Sequence, residues 1–228
     1  MKHALMIGAS SGIGGALAKK LSVTHEITAL SRTSGNLNAG NGINHFMVDI
    51  AQDNPDFPSI DKPIDALIYC PGTISLKPFR SIKNEDFLND WNINVLGAIK
   101  TIRHYLPQLQ QATAPSITLF STVAVQTGMP FHASISAAKG AIEGLTRSLA
   151  AEFAPKIRVN AIAPSLTQTP LAEKLLNAEA KIKAAEERHP LKKIGTPDDI
   201  ADAALFLINA NWITGQIIPV DGGMQAIR

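Results

Sequence analysis

The sequence is poor in cysteine, with Cys70 alone among 228 residues. A single thiol excludes a framework of intramolecular disulfide bonds and is typical of a reducing compartment. The six histidines lie at positions 3, 25, 45, 104, 132 and 189, and no pair has the spacing of metal ligands on a helix. Because Cys70 is also remote from them along the chain, we predict no metal site.

Long apolar runs, aromatic residues and an excess of charge are also missing. No apolar stretch approaches the ~20 residues of a membrane span, and the short N-terminal run leads straight into glycines, unlike a signal peptide. Aromatic residues make up 5% of the chain, and its formal net charge is +2 with scattered basic residues. We therefore expect neither a base-stacking surface nor a basic patch. These absences predict a cytoplasmic protein that binds neither membranes nor nucleic acid.

The chain does contain a regular alternation of short apolar runs and amphipathic segments. The runs predict strands at Ala4–Ile7, Ile27–Leu30, Phe46–Val48, Ala66–Tyr69, Ile117–Phe120, Arg158–Ile162 and Ile217–Val220. The amphipathic segments predict helices at Gly12–Leu21, Asn84–Gln111 (broken or bent), His132–Phe153, Leu171–Arg188 and Pro197–Ile208. This alternation predicts an α/β fold, a doubly wound parallel sheet of about seven strands. The length fits one domain, residues 1–228, with a full core.

A glycine-rich string, Gly8-Ala9-Ser10-Ser11-Gly12-Ile13-Gly14, lies between the first strand and the first helix. Glycines let the backbone turn tightly and approach a pyrophosphate, and the N-terminus of the following helix offers free N–H groups. The string predicts a dinucleotide site formed by Gly8, Ser10, Ser11, Gly12, Ile13 and Gly14. A tight turn without a ligand is the alternative.

Four further segments follow this string in order. They are Asn92–Gly97, Phe131–Ala141, Arg158–Thr169 and Ile213–Gly223. With the spacing Gly-x-x-x-Gly-x-Gly, they make the whole chain resemble the short-chain dehydrogenase/reductase family. The resemblance implies a Rossmann-type fold, NAD(P) binding, oxidoreductase activity on a small carbonyl or alcohol, a homodimer or homotetramer, and a substrate lid at about 170–189. The connections Arg32–Asn44 and Gln52–Pro63 offer little helical pattern, so we expect them to lack the family's longer helices.

The segment Ser31-Arg32-Thr33 follows the second predicted strand and contains no acidic residue. An acid there would bind ribose hydroxyls and repel a 2′-phosphate, whereas Arg32 pairs with a phosphate. We therefore favour NADP(H) over NAD(H), with a merely solvated Arg32 as the alternative. By resemblance, the cofactor also contacts Asp49 and Ile50 at the end of the third strand, and Cys70, Pro71, Gly72, Asn94, Lys139, Pro164, Thr167 and Thr169.

The family's catalytic group is an asparagine, a serine, a tyrosine and a lysine, and the tyrosine donates and accepts the proton. By resemblance, Asn94 and Lys139 match their positions, and Thr122 takes that of the serine. The adjacent Ser121 competes with Thr122, although its side chain is expected on the other face of the strand. The tyrosine position holds Ile135, which has no proton to give. Loss of a general acid typically costs about 10²–10⁴-fold in rate.

No other residue takes the tyrosine's place from sequence alone. His132 lies on a similar helical face three residues earlier, whereas Ser134 and Ser136 point about 100° away. Two further departures are Tyr69-Cys70-Pro71-Gly72, where the family has Asn-Asn-Ala-Gly, and Ser165, which replaces a glycine. Neither Tyr69 nor Tyr105, the chain's two tyrosines, can be assigned the role.

Two main hypotheses remain open. The first is an NADP(H)-dependent oxidoreductase with altered proton delivery, through Asn94 and Lys139 or from the substrate. The second is a catalytically inactive NADP(H)-binding sensor or partner subunit. A lyase or isomerase is a third, and the substrate is not predicted. Apolar helical faces are expected either to form the subunit interface or to pack on the sheet; they comprise Leu96, Ile99 and Ile102, and Ala141, Leu145 and Leu149.

Overall fold

The central element is a seven-stranded parallel sheet, described here from a computed structural model that covers residues 1–35, 37 and 42–227. Its strands are β1 (Lys2–Ile7), β2 (His25–Ser31), β3 (Ile43–Met47), β4 (Ala66–Tyr69), β5 (Ser116–Phe120), β6 (Arg158–Pro164) and β7 (Ile217–Val220). They lie in the order β3-β2-β1-β4-β5-β6-β7. The order reverses between β1 and β4, and ligands of open α/β sheets bind at such a switch point.

Helices cover both faces of this sheet. They are α1 (Gly12–Leu21), α2 (Asn84–Trp91), α3 (Gly97–Gln111), α4 (Ala124–Thr127), α5 (Ala133–Phe153), α6 (Glu179–Arg188) and α7 (Pro197–Asn209). Short 3₁₀ helices occupy Phe79–Ser81 and Pro170–Leu175, and a π-helical segment, Asn92–Leu96, joins α2 to α3. The predicted doubly wound α/β fold is confirmed.

Alternate residues of each strand supply two separate cores. Leu5 of β1 packs with α3 and α5, whereas its neighbour Met6 packs with α1 and α7. This alternation follows from the opposite directions of successive side chains in a strand. Because both faces are covered, the inner strands are apolar throughout, as the sequence indicated.

Three of the differences between the predicted and the observed bounds concern β3, β6 and one helical region. β3 begins at Ile43 rather than Phe46, because the polar residues Asn44 and His45 also pair with β2 at the edge of the sheet. The side chain of Asn44 adds a contact to β2, since its Nδ2 donates to Glu26 Oε1 at 3.3 Å. β3 ends at Met47, so Asp49 and Ile50 lie in the turn beyond it and not at its end. β6 extends to Pro164, where it pairs with β7.

The third difference is in the region predicted as one helix, Leu171–Arg188. It forms the 3₁₀ helix Pro170–Leu175 and the separate helix α6, because Ala178 adopts an extended conformation before α6. The expected break in Asn84–Gln111 is the π-helical segment.

The connection Gln52–Pro63 contains no helix, as predicted. Of the connection Arg32–Asn44, residues 36 and 38–41 lie outside the described part. None of the helices in the described part of the chain combines the length and apolar character needed to span a membrane.

Candidate active site

The glycine-rich string forms a tight turn at the carboxyl end of β1. Gly8 and Gly12 have φ values of 77° and 55°, in the left-handed region that favours glycine. The main-chain N–H of Gly8 donates to Leu30 O at 2.8 Å, which holds the turn against the end of β2. Ser11 caps α1 without a side-chain hydrogen bond to it. The first N–H groups of α1 thus remain available for an anion.

The end of β2 brings Ser31, Arg32 and Thr33 beside this turn. Ser31 is buried, and its hydroxyl donates to Thr33 O at 2.8 Å and lies 2.9 Å from His45 Nε2. Arg32 and Thr33 are exposed. The guanidinium of Arg32 is therefore open to a phosphate, whereas the hydroxyl of Ser31 is already engaged. His45 was not anticipated, because the sequence did not indicate that its edge strand extends so far.

The side chains of Asp49 and Ile50 differ in how available they are to contact a cofactor. The Asp49 carboxylate accepts the N–H of Ala51 at 3.0 Å, which stabilises its own turn. Ile50 is buried in the core on the α3 and α5 face of the sheet. A Cβ added at Gly97 would lie 2.9 Å from Ile50 Cδ1, so Ile50 also packs against the start of α3.

The end of β4 holds Tyr69, Cys70, Pro71 and Gly72. Tyr69 is buried, and its hydroxyl donates to Ile93 O at 2.5 Å. Burial raises the pKa of the Tyr69 phenol well above its usual value. Cys70 is half-buried, and desolvation raises its pKa to about 12, so the thiol stays protonated at neutral pH. Pro71 packs near Gly8, because a Cβ added at Gly8 would lie 3.2 Å from Pro71 N and Cδ.

Neither tyrosine occupies the place of the missing acid. The Tyr69 hydroxyl is committed to the π-helical segment, and the Tyr105 hydroxyl donates to Pro58 O at 2.9 Å. Burial also raises the pKa of Tyr105. Both phenols are structural groups.

Asn94 and Lys139 converge beside Gly72. Asn94 Nδ2 donates to Asp90 O at 2.7 Å and to Thr73 Oγ1 at 2.9 Å, while its buried Oδ1 has no partner among the described residues. Lys139 is buried, and its Nζ donates to Phe120 O at 2.8 Å. A Cβ at Gly72 would lie 3.5 Å from both Asn94 Oδ1 and Lys139 Nζ. The glycine therefore leaves open a small gap that a ligand hydroxyl can enter.

Burial changes the proton affinity of Lys139. Desolvation lowers the pKa of the ammonium from its usual 10.5 to about 8, against the opposing effects of Cys70 and Asp90. A lysine with such a pKa exchanges its proton at a pH close to neutral. It is the one candidate residue of the family pattern that retains this capacity, since Ile135 has no ionisable group.

Ile135 lies one turn before Lys139 on α5 and is buried. Thr122 and Ser121 both follow β5, beyond its last residue, so the expected alternation of strand faces does not apply. They nevertheless bond to different elements. The hydroxyl of Ser121 donates to Glu143 Oε1 at 2.8 Å, whereas Thr122 Oγ1 contacts Pro164 O at 3.5 Å and accepts from Ala124 N at 3.3 Å. Thr122 is the less committed hydroxyl.

The other polar side chains near Ile135 have local roles. His132 is half-buried at the start of α5, and its Nδ1 lies 2.8 Å from Pro130 O. The Ser134 hydroxyl is buried and donates to Asp90 Oδ2 at 2.6 Å. Ser136 Oγ is buried without a partner among the described residues. Asp90 was missed by sequence analysis, although its place one helical turn before Asn94 is a usable signal.

The segment after β6 closes over the glycine-rich turn. A Cβ at Gly12 would lie 3.5 Å from Thr169 Cβ, so Thr169 contacts the turn. The hydroxyl of Thr169 also accepts from Ala172 N at 3.3 Å and caps the 3₁₀ helix. Thr167 Oγ1 donates to Ser165 O at 2.9 Å. Pro164, Thr167 and Thr169 thus lie along one edge of the site.

Ser165 joins this edge to the end of α6. Its hydroxyl lies 2.8 Å from His189 Nε2, and His189 Nδ1 lies 2.7 Å from Ala185 O. The substitution of glycine by serine therefore adds a tie between β6 and the segment Pro170–His189. Among the described residues, no group of three or more His, Cys, Asp and Glu side chains is placed to hold a metal ion.

Comparison with known proteins gives a consistent set of matches. A family model described as enoyl-(acyl carrier protein) reductase matches residues 58–225. L-xylulose reductase of Bos taurus is 30% identical over 99% of this chain and 97% of its own. Carbonyl reductase family member 4 of Danio rerio is 32% identical over 98% of both chains. The solved structure of ElxO with NADP bound is 25% identical, with a TM-score of 0.85 over 98% of this chain and 99% of that one.

Proposed function

The chain belongs to the short-chain dehydrogenase/reductase family, and from this premise we propose that it is an NADP(H)-dependent oxidoreductase acting on a small carbonyl or alcohol. Its proton delivery is altered, because Ile135 replaces the tyrosine. The observation that supports activity best is the convergence of Asn94 Oδ1 and Lys139 Nζ on the gap beside Gly72. An unpaired acceptor and an ammonium there fit a ribose hydroxyl and a proton relay.

The residues present fit the cofactor. The glycine-rich turn, Gly8 to Gly14, would bind the pyrophosphate at the N-terminus of α1. Arg32 would pair with the 2′-phosphate, and Lys139 and Asn94 would hold the nicotinamide ribose beside Gly72. ElxO, which has been solved with NADP bound, supports the preference for NADP(H) over NAD(H). When bound, NADP(H) supplies or accepts the hydride.

In the direction of reduction, Lys139 provides the proton. The Thr122 hydroxyl orients the carbonyl oxygen, and the Lys139 ammonium donates a proton to it as the C–H bond forms. The neutral amine then regains a proton from solvent along the side of Asn94. A pKa of about 8 for Lys139 suits this role, because an acid works best when its pKa is close to the working pH. Ile135 keeps water away from the reacting carbon.

NADPH consumption across a panel of ketones, aldehydes and quinones tests this proposal. The wild type is compared with Ile135→Tyr, and Ile135→Phe is the matched control that has the ring without its hydroxyl. We expect slow turnover by the wild type and an increase of about 10²–10⁴-fold in Ile135→Tyr. Turnover should be abolished by Lys139→Met. An increase in Ile135→Phe as large as that in Ile135→Tyr would contradict a missing proton donor.

A second function is favoured by Ile135 and Pro71 together. Ile135 replaces the polar tyrosine of the family pattern, and Pro71, which stands where that pattern has alanine, lacks a main-chain donor. These changes support a catalytically inactive NADP(H)-binding sensor or partner subunit. NADPH binding by the wild type, measured by fluorescence, with turnover only after Ile135→Tyr, would establish this alternative.

We also propose a homodimer or homotetramer built on α2, α3 and α5, and a lid at Pro170–His189. Leu88 and Trp91 of α2 are exposed, at 59% and 40%, which supports a contact there. The contact of Thr169 with Gly12 supports the position of the lid. A cytoplasmic setting is consistent with the single, protonated cysteine.

A further inference from the structure

Asp90 is a completely buried carboxylate at the end of α2, with an exposed fraction of 0%. Its Oδ1 accepts the hydroxyl of Thr73 at 2.6 Å, and its Oδ2 accepts the hydroxyl of Ser134 at 2.6 Å. These three residues lie on the β4–α2 connection, on α2 and on α5. A buried charge is costly unless it is paired and hydrogen-bonded, so such a placement requires an explanation.

The carboxylate determines the direction of the neighbouring hydrogen bonds. An ionised carboxylate only accepts, so the hydroxyl of Thr73 must donate to Asp90. The Thr73 oxygen is then free to accept from Asn94, whose Nδ2 lies 2.9 Å away. With Nδ2 engaged by Thr73 and by Asp90 O, the Oδ1 of Asn94 is turned toward the gap beside Gly72 and Lys139 Nζ.

The same carboxylate also favours the charged form of Lys139, whose Nζ itself donates to Phe120 O. The ionisable groups that face the ammonium are Asp90 from α2 and Cys70 from the end of β4. The elements β5, α4 and the π-helical segment contain no ionisable residue. Glu143, on the same helix as Lys139, is engaged by Ser121 and Gln126, both at 2.8 Å. Arg158 of β6 donates to Leu207 O and Ile208 O. Cys70 and Asp90 both oppose the desolvation of Lys139. Because burial raises the pKa of the Cys70 thiol to about 12, the opposing charge at neutral pH comes from Asp90.

We propose that Asp90 is a positioning residue for this site. Its carboxylate fixes the orientation of Asn94 through Thr73, so that Asn94 Oδ1 lies beside the ammonium of Lys139, in a site where residue 135 offers no ionisable partner. The inference extends the proposed function, and rests on it only for its effect on turnover.

The titration of Lys139 itself tests the charge. Protein labelled with carbon-13 at lysine Cε is titrated by NMR across neutral and alkaline pH, and the Lys139 signal is assigned by its absence in Lys139→Met. Asp90→Asn should lower the pKa of Lys139 by about one unit. Asp86→Asn, the same change one turn earlier on α2 where the carboxylate pairs with Lys77 at 2.7 Å, should leave the titration of Lys139 in place. Equal titrations in the wild type and Asp90→Asn would overturn the proposal.

A double-mutant cycle covers the case in which Asp90→Asn is too unstable for NMR. Thermal unfolding is then measured for Asp90→Asn, Lys139→Met and the double variant. Asp90→Asn should cost more stability when Lys139 is present than in the Lys139→Met background, because only then is an ammonium left without the carboxylate that favours its charge. Equal costs in the two backgrounds would refute this effect of Asp90.

The titration needs no cofactor, so the two proposals can fail separately. A shifted Lys139 titration in a protein without NADPH turnover would support Asp90 and reject the oxidoreductase. NADPH turnover with an unshifted Lys139 titration would support the oxidoreductase and reject the role of Asp90. If the protein shows both NADPH turnover and a shifted Lys139 titration, the alkaline limb of the pH–rate profile should move to lower pH in Asp90→Asn, by the same shift as the Lys139 titration. Thr73→Val should reduce kcat and leave that limb in place.

Discussion

At the scale of single residues, Lys139 is held in place without help from the side chain at position 135. Its Nζ donates to the main-chain carbonyl of Phe120 at 2.8 Å, and a main-chain partner persists whatever side chain replaces the tyrosine. The loss of the phenol therefore removes a proton donor but leaves the ammonium anchored. The cost of burying this ammonium is measurable in the stability of the protein.

The stability of the folded state should depend on pH through Lys139. The pKa of Lys139 falls from its usual 10.5 to about 8 on folding, so the unfolded chain binds more protons between these values. The free energy of unfolding therefore gains a contribution that rises with pH above about 8. Lys139→Met should be more stable than the wild type at neutral pH, and this advantage should shrink as pH rises. Urea titrations at neutral and alkaline pH measure it, with exposed Lys183→Met as the control for loss of one charge. A stability advantage of Lys139→Met that stays the same at neutral and alkaline pH would contradict the prediction.

Arg32 is predicted to discriminate between the two nicotinamide cofactors. Because an exposed guanidinium gains a charge-assisted bond only from the 2′-phosphate, Arg32→Ala should weaken NADPH binding by about tenfold or more. NADH binding should change little. Fluorescence titrations of both cofactors measure the effect, and Arg80→Ala, an exposed arginine on the 3₁₀ helix Phe79–Ser81, is the matched control. Equal weakening of both cofactors would argue for a general role in folding.

The sequence analysis predicted four residues of the candidate site and did not include Asp90. Asn94, Thr122, Ile135 and Lys139 were identified from motifs that lie in short, continuous segments. The partners of Asp90 come from separate segments, and their contact depends on how α2 packs on α5. The place of Asp90 one helical turn before Asn94 is a signal in the sequence, but it does not reveal the contacts with Thr73 and Ser134.

At the scale of elements, the π-helical segment Asn92–Leu96 determines where Asn94 points. The buried hydroxyl of Tyr69 donates to Ile93 O within this segment, and a Cβ at Gly97 would fall on that hydroxyl. Glycine at 97 and the phenol of Tyr69 therefore fit one another. In this chain, Tyr69 stabilises the π-helical segment through its bond to Ile93 O, at a position where the family pattern has an asparagine.

Gly97→Ala should destabilise the protein by about 1–3 kcal/mol, because the new methyl group overpacks against the buried Tyr69 hydroxyl. Gly144→Ala is the matched control, since a Cβ there meets nothing within 4 Å. This second change should stabilise α5 by about 0.5–1 kcal/mol, as alanine favours helix over glycine. Urea unfolding of the two variants beside the wild type measures both effects. Equal free energies of unfolding for the two variants would show that the side chain of Tyr69 moves easily to make room for the methyl group.

The inner strands were predictable because burial on both faces makes them apolar throughout. The edge strand β3 was predicted short, since its first residues include the polar Asn44 and His45 and show no apolar run. The region from Leu171 to Arg188 was predicted as one helix because its composition is helical on both sides of Leu176–Ala178. A break caused by backbone conformation alone is not visible in composition.

At the scale of the whole molecule, the expected interface residues divide into two groups. Ile102 is buried in the core, which agrees with packing on the sheet, while Ile99, Ala141, Leu145 and Leu149 are only partly buried. Leu88 and Trp91 extend this partly covered face into solvent. An apolar face of this kind on three neighbouring helices is typical of a subunit contact.

We predict that light scattering on a sizing column gives twice or four times the mass of one chain. Trp91→Lys should shift this mass toward one chain, because a charge at an apolar contact is costly to bury. Val23→Lys, an equally drastic change at a residue 78% exposed in the α1–β2 turn, should leave the mass unchanged. A dimer that survives Trp91→Lys would place the contact on another face.

The bonds of Asp90 to Thr73 and Ser134 also have an evolutionary consequence. Three residues on separate segments depend on one another, because the hydroxyls of Thr73 and Ser134 together satisfy a buried carboxylate. In lineages that share this arrangement, the three positions should vary as a set. An acid at 90 with hydroxyl residues at 73 and 134 therefore makes a signature by which chains with the same altered site can be recognised among ordinary members of the family.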